Sequence, residues 1–333
     1  MDQKILLFLS KLIEFSYNPS YISDKAQLSL KIYQFLTPGW FRFGAIETQT
    51  EDYLKKMITA FVQDNKPIRI LNACGGFKNY RIDTAPHIDM AEIFHLSFIS
   101  NALVKICEIY EPGVELEYSG DSHMACIVDN IKKEWVDTYL KEFNFAIDYF
   151  DNITPKNLKI TYKHFQDFYD YEELKKKVNE LGDKEDLLEP KNSQSIEKYY
   201  QRALQNFCFD GEENLTSLSD NEKEEIVKRS ILKTYIWYDL DFEKRGDYFG
   251  SFISICNLNG FPGAYCVRSI RHLPCPPFWQ GKGVIEIVDG EPHAVILHNK
   301  MYLEESNGLT TLDLAPPQIK NLLPVGEVIY LKQ

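Results

Sequence analysis

Four short clusters in this sequence hold most of the side chains able to bind or transform a small molecule. The first is Gly75-Gly76-Phe77-Lys78-Asn79-Tyr80-Arg81. Glycines let a ligand approach the backbone, and Lys78 and Arg81 are suited to a phosphate or a carboxylate. Its spacing is neither a Walker loop nor a G-x-G-x-x-G fingerprint, so it does not specify a nucleotide. A surface turn with two solvated cations is the plain alternative. The second is His87-Ile88-Asp89-Met90-Ala91-Glu92. Asp89 can simply cap a helix, but Asp89 and Glu92 also share a helical face, as paired carboxylates for proton transfer would. His87, Glu92, His95 and His123 could in principle hold a metal, yet one Glu-x-x-His pair is far short of a site.

The third cluster is Ser119-Gly120-Asp121-Ser122-His123, at the carboxyl end of a predicted strand, where open α/β sheets place ligands. Asp121 and His123 read either as an acid–base pair or as a satisfied turn. The fourth is Arg268, within the apolar run Tyr265-Cys266-Val267-Arg268-Ser269-Ile270, followed by Pro276-Pro277-Phe278-Trp279-Gln280-Gly281. A cation in a half-buried strand needs a partner, so Arg268 reads as a structural ion pair or an anion holder. Trp279 suits a pocket wall or lid, although core packing is the commoner fate of a lone Trp.

The elements that must position these residues are legible in outline. Residues 1–65 read as helices, broken near Asn18–Ser20 and at Pro38-Gly39. Residues 68–71 form a short buried strand before Gly75-Gly76. Residues 90–110 are an apolar-periodic helix stopped by Pro112-Gly113. Val114, Leu116 and Tyr118 alternate with Glu115 and Glu117, as in a half-exposed strand, and a further helix spans 130–143. Residues 151–235 are charged and mostly helical, with an exposed, mobile loop near 182–195; Ser219 and Glu222 fit a capping box opening a helix through Tyr235. Strands follow at 252–258, 264–270 and 283–288, and Asp289-Gly290 turns residues 285–288 back onto 294–297. The expected fold class is α/β, a mixed-sheet Rossmann-like body with a helical, charged middle section. The expected division is 1–65 helical, 66–150 the α/β half of the body, 151–235 the charged helices and 236–333 the strand-rich remainder.

Composition narrows the function classes. The chain has 333 residues, 37 Lys plus Arg against 49 Asp plus Glu, and a net charge of −12. That balance suits a soluble protein and disfavours phosphate-backbone binding, so no nucleic-acid partner is expected. No run of 18 apolar residues suggests a membrane span, and residues 1–15 read as a first core helix rather than a leader. Seven scattered cysteines with no Cys-x-x-Cys pair fit reduced thiols in the cytoplasm, not a disulfide framework or a thiolate zinc site.

Taken in order, these blocks resemble the isocyanide (isonitrile) synthase family known from pyoverdine and dityrosine biosynthesis, over about 65–150 and 235–305. Phe77-Lys78 with Asn79 resembles that family's Phe-Pro-x-Lys-Ser-x-Asn block, and Asp89-Met90-Ala91-Glu92 its Pro-Asp-x-Ala-Glu block. Tyr110-Glu111-Pro112-Gly113 is similar to its Tyr-x-Pro-Gly-Ala turn. Ser119 and Asp121 lie where the family has Ser-Asp-Gly, and Asp129 where a further Asp follows. Val267-Arg268, Pro277-Phe278-Trp279-Gln280-Gly281 and Asp289-Gly290 resemble its Ile-Arg, Pro-Trp-His-Gly and Asp-Gly. Departures mark a divergent member: Phe252 and Cys256 replace an Arg and a His, and Gln280 replaces a His that could shuttle protons.

The resemblance implies an enzyme that joins an amino acid's α-amine to ribulose 5-phosphate and leaves one carbon behind as an isonitrile, with no metal or nicotinamide cofactor. It implies that Lys78, Asn79, Arg81, Ser119, Arg268, Trp279 and Gln280 bind substrate, while Asp89, Glu92, Asp121 and His123 move protons. Two other readings stay open. One is a binding module or pseudoenzyme on the same fold. The other is a nucleotide- or S-adenosylmethionine-dependent transferase with a degenerate loop at 68–76.

Overall fold

Nine strands are distributed over two sheets in the computed structural model, which describes residues 2–120, 122–184, 190–257, 265–271, 276–298, 308–312, 315–324 and 329–332. Helices α1 (Asp2–Lys11), α2 (Lys25–Leu36) and α3 (Thr48–Asp64) come first. Then follow β1 (Ile68–Cys74), α4 (Met90–Ile109), β2 (Val114–Gly120), α5 (Met124–Val128), α6 (Lys133–Ile153) and β3 (Leu158–Lys163). The middle section is α7 (Tyr171–Gly182), α8 (Pro190–Asn206) and α9 (Asp220–Phe249). The rest is β4 (Ile253–Cys256), β5 (Tyr265–Cys266), β6 (Gly281–Val288), β7 (Glu291–His298), β8 (Leu309–Leu312), α10 (Pro317–Leu322) and β9 (Ile329–Lys332).

The fold class is α/β, as the sequence pattern implies. The strands do not share one mixed sheet, however. The first sheet, ordered β3-β2-β1-β4-β5, is parallel throughout, and the second, β7-β6-β9-β8, is mixed. Its β6–β7 hairpin closes on Asp289 and Gly290, both at positive φ (53° and 76°), the backbone a tight right-twisted hairpin needs.

Strand parity gives the parallel sheet two unlike faces. On one lie Ile68, Ile70, Asn72 and Cys74 of β1 with Val114, Leu116 and Tyr118 of β2, all buried. Tyr118 packs there against His95 of α4 and Phe143 of α6. On the other lie Arg69, Leu71 and Ala73, in register with Glu115, Glu117 and Ser119, which in turn pair with Lys159, Thr161 and Lys163. Parallel strands are usually apolar on both faces. Here the second face is polar, and α9 reaches it with side chains: Tyr248 donates to Glu117, and Arg245 to Ser119.

Helix α4 begins where its signals predicted, with Asp89 as N-cap and Glu92 completing a capping box. It is long and apolar enough to cross a membrane by length and composition (mean hydropathy 1.3), but 83% of that window is buried inside the fold. It is a core helix. The Ser219–Glu222 capping box also forms, although α9 continues well past Tyr235 to Phe249.

Three expectations need correcting. The loop expected near 182–195 is helical from Pro190, where α8 begins, while 185–189 lie outside the described residues. The strand expected over 252–258 is shorter, Ile253–Cys256. The strand expected to carry Arg268 ends at Cys266, with Val267 bridging Arg42. Among the described residues its neighbour in the sheet is β4, whose pairing with it ends at Cys256 and Cys266, and the chain then turns to the 41–43 segment.

Candidate active site

Lys78 sits at the centre of a buried ion cluster. Its Nζ lies 3.0 Å from Asp89 Oδ2 and 3.0 Å from both oxygens of Glu92, and the three side chains are at most 3% exposed. The carboxylates are otherwise saturated. Asp89 Oδ1 accepts from Ala91 N (2.7 Å) and Gly283 N (3.0 Å), and Oδ2 accepts from Thr84 Oγ1 (3.0 Å). Glu92 accepts from Asp89 N (2.9 Å) and Tyr139 OH (3.3 Å). Burial alone would push Lys78 down, but the two carboxylates hold it above the usual lysine range. Burial, opposed by Lys78, pushes the Glu92 carboxyl up to about 8. Lys78 is therefore neither a solvated surface cation nor an open anion holder. It ties the 75–81 loop to the first turn of α4 and, through Asp89, to β6.

Around this cluster the sequence blocks converge. Trp279 packs on Gly75, where a Cβ would stand 2.3 Å from its Nε1, and Asn79 N donates to Trp279 O (2.9 Å). Gly76, at φ +68°, faces Ser122, and Gly120 faces Gly76. Lys78 also lies 3.4 Å from Phe278 O, and Phe278 stacks on the buried His95 with centroids 4.2 Å apart. His95 Nε2 accepts from Tyr118 OH (2.9 Å) and Asn72 Nδ2 (3.2 Å), and desolvation pushes its pKa down to about 3. It is a neutral core histidine. Gln280 is half-buried, immediately before β6.

His123 takes Asp137 of α6 as its carboxylate, Nε2 to Oδ1 at 2.8 Å; its expected partner Asp121 lies outside the described residues. Ser122 Oγ stands 3.4 Å from Nδ1, and Gln166 Nε2 stands 3.2 Å from Nδ1 and 3.1 Å from Nε2. This arrangement fits a proton on Nε2 directed at Asp137 and a lone pair on Nδ1. Burial lowers the imidazole pKa, with Asp137 opposing, so the ring is a neutral acceptor.

Arg81 and Arg268 have other partners. The exposed Arg81 donates to Tyr80 OH (2.9 Å) and Leu204 O (3.2 Å). Arg268 donates through Nε to Arg42 O (3.1 Å) and through Nη1 to Arg271 O (3.2 Å), joining backbone segments; among the described residues it pairs with no carboxylate. Histidines 87, 95 and 123 each face a different neighbour: His87 bonds Glu142 at 2.7 Å. Among the described residues no three His, Cys, Asp or Glu side chains form a metal-holding group.

Sequence reasoning missed the polar groups on the second face. Arg245 is 1% exposed, ion-paired with Asp241, and its Nη1 lies 3.4 Å from Ser119 Oγ. Its guanidinium carbon is 4.7–5.6 Å from the ring centroids of Phe168, Tyr169, Trp237 and Phe249. Glu117, whose carboxyl is raised by burial despite its bond from Tyr248, sits one pleat before Ser119 on the same face. The alternation Leu116-Glu117-Tyr118-Ser119 was the available signal: an interior strand with acidic alternate positions must present them to something polar.

Fold and geometry together define an α/β protein whose polar groups gather at the carboxyl ends of β1–β3. No protein-family model matches the chain, and no curated protein matches it in sequence. Among solved structures, the crystal structure of the PvcA protein from Pseudomonas aeruginosa is similar, with a TM-score of 0.63 at 15% identity over 92% of this chain and 100% of that one. The likeness is one of fold.

Proposed function

We propose that this chain is an isonitrile synthase-like enzyme of the cytoplasm, acting on the α-amine of an amino acid with ribulose 5-phosphate as the one-carbon donor. The observation that carries this reading is convergence. Blocks 75–79, 89–92 and 277–280 and the described residues of 119–123, which resemble that family in order, meet at the carboxyl end of the parallel sheet in a fold similar to PvcA across 92% of the chain. In this reading His123, kept neutral by burial and oriented by Asp137, accepts a proton from the amine. Ser119 and the 75–79 loop line the space beside it. The Lys78–Asp89–Glu92 cluster holds the loop in place. No metal or nicotinamide is called for by this chemistry, and the partners are small molecules only.

The test is incubation of pure protein with ribulose 5-phosphate and a pool of amino acids, followed by mass analysis for an isonitrile. A product supports the reading. A second reading, a binding module on the same fold, is favoured by the mutual saturation of Lys78, Asp89 and Glu92, which leaves these residues no bond to offer a substrate. Tight sugar-phosphate binding without product would select it, and binding of S-adenosylmethionine or a nucleotide would select a transferase.

A further inference from the structure

We propose that Gln166 caps the imidazole of His123, and that a ligand reaches Nδ1 by displacing the Gln166 amide. The proposal rests on the function above only for the identity of that ligand, an amine. The side chain of His123 is 0% exposed, so a base at this position needs an opening. Phe165 and Tyr171 stand against the ring with centroids 5.8 Å away, Asp137 accepts at Nε2, and Ser122 and Gln166 stand at Nδ1.

Most of this cover is fixed. Phe165 and Ser122 are buried, and Asp137 is held by Lys133 at 2.6 Å. Tyr171 OH donates to Glu212 (3.3 Å), which also takes Lys175 at 2.7 Å. Gln166 differs. It is exposed, and among the described residues its side chain bonds nothing but His123. Its Nε2 lies 3.2 Å from Nδ1, the ring nitrogen left as acceptor when the Nε2 proton faces Asp137. The backbone beneath is pinned: Gln166 belongs to the short turn Phe165–Asp167, where Asp167 Oδ2 accepts from His164 N (3.1 Å). Uncapping is therefore the rotation of one surface side chain. It costs a single hydrogen bond and is a fast motion in an exposed residue. The amide nitrogen also marks where an amine nitrogen would stand to pass its proton to Nδ1.

Labelling with diethyl pyrocarbonate, which acylates a neutral imidazole, tests the cap, with each histidine followed by peptide mass mapping. The parent, Gln166→Ala and Gln166→Glu are compared, and the buried His95 is the internal reference for an intact fold. The proposal expects His123 of Gln166→Ala to react at least about fivefold faster than in the parent while His95 stays as slow. In Gln166→Glu a carboxylate replaces the amide, so the His123 proton resonances should titrate at higher pH than in the parent. Asp137 and Lys133 of α6, His164, and Tyr171 of α7 also act on the ring and are the same in both. Equal labelling of His123 in the parent and folded Gln166→Ala overturns the cap, as does an unmoved or lowered titration in Gln166→Glu. Where an isonitrile forms, Gln166→Ala should lower the KM for the amino acid with kcat little changed, because the amine no longer displaces an amide; an unchanged KM overturns the displacement. Faster labelling with no isonitrile from any amino acid leaves the cap standing and removes the proposed reaction.

Discussion

Lys78 and Glu92 face each other inside the protein, the ammonium 3.0 Å from both carboxylate oxygens, with neither side chain exposed to solvent. A buried pair of this kind contributes little net stability relative to an apolar pair, because both groups lost their water on folding. Removing one partner alone is a different matter, since it strands the other. Lys78→Met should therefore lower unfolding stability by about 3–5 kcal/mol in a urea titration. Lys78→Met combined with Glu92→Gln should recover part of that loss, and a double mutant as costly as the sum of the two singles would contradict the cluster.

The same cluster sets a pH dependence. Folding raises the Glu92 carboxyl from its ordinary 4.5 to about 8, so between those pH values the folded state holds a proton that the unfolded state has released. Stability from this group is complete below about pH 4.5 and is lost as pH rises through 8. Unfolding stability should fall between pH 5 and 8 more steeply in the parent than in Glu92→Gln. Equal slopes would mean that Glu92 is ionised throughout.

Asp137 raises the pKa of the otherwise desolvated His123. Asp137→Asn should shift the His123 titration, followed by imidazole proton resonances, to lower pH while the fold is retained. A shift upward would show that the carboxylate does not face the ring.

Gly283 is packed backbone to backbone. A Cβ there would stand 2.1 Å from Ala91 N, and Gly283 N donates to Asp89. Gly283→Ala should push β6 away from the first turn of α4 and give a protein that melts far below the parent or does not fold. An unchanged melting curve would show that β6 does not approach α4 so closely.

What was legible in the sequence was local. Asp89 with Glu92, Ser219 with Glu222, and Asp289-Gly290 each announce an element through bonds between residues one to three apart, and each forms. Lys78 was visible as a chemically able residue, but its burial was not, because Asp89 and Glu92 reach it only after β1 and α4 dock. Arg268 was read as a strand residue because the apolar run around it continues, whereas β5 ends at Cys266 where its neighbour β4 ends. Arg245 carried no signal. It is one of several charged residues on a long polar helix, and it meets Ser119 across 126 residues of chain.

The central claim is that the groups gathered at the carboxyl ends of β1–β3 transfer one carbon from ribulose 5-phosphate to an amino acid's nitrogen. The most direct measurement incubates the protein with an amino-acid pool and ribulose 5-phosphate labelled uniformly with carbon-13, then follows products by mass and infrared spectra. The account predicts an isonitrile carrying one labelled carbon, formed by the parent and much reduced in His123→Ala. Its contradiction would be an amino-acid pool returned unchanged by folded protein that binds the sugar phosphate.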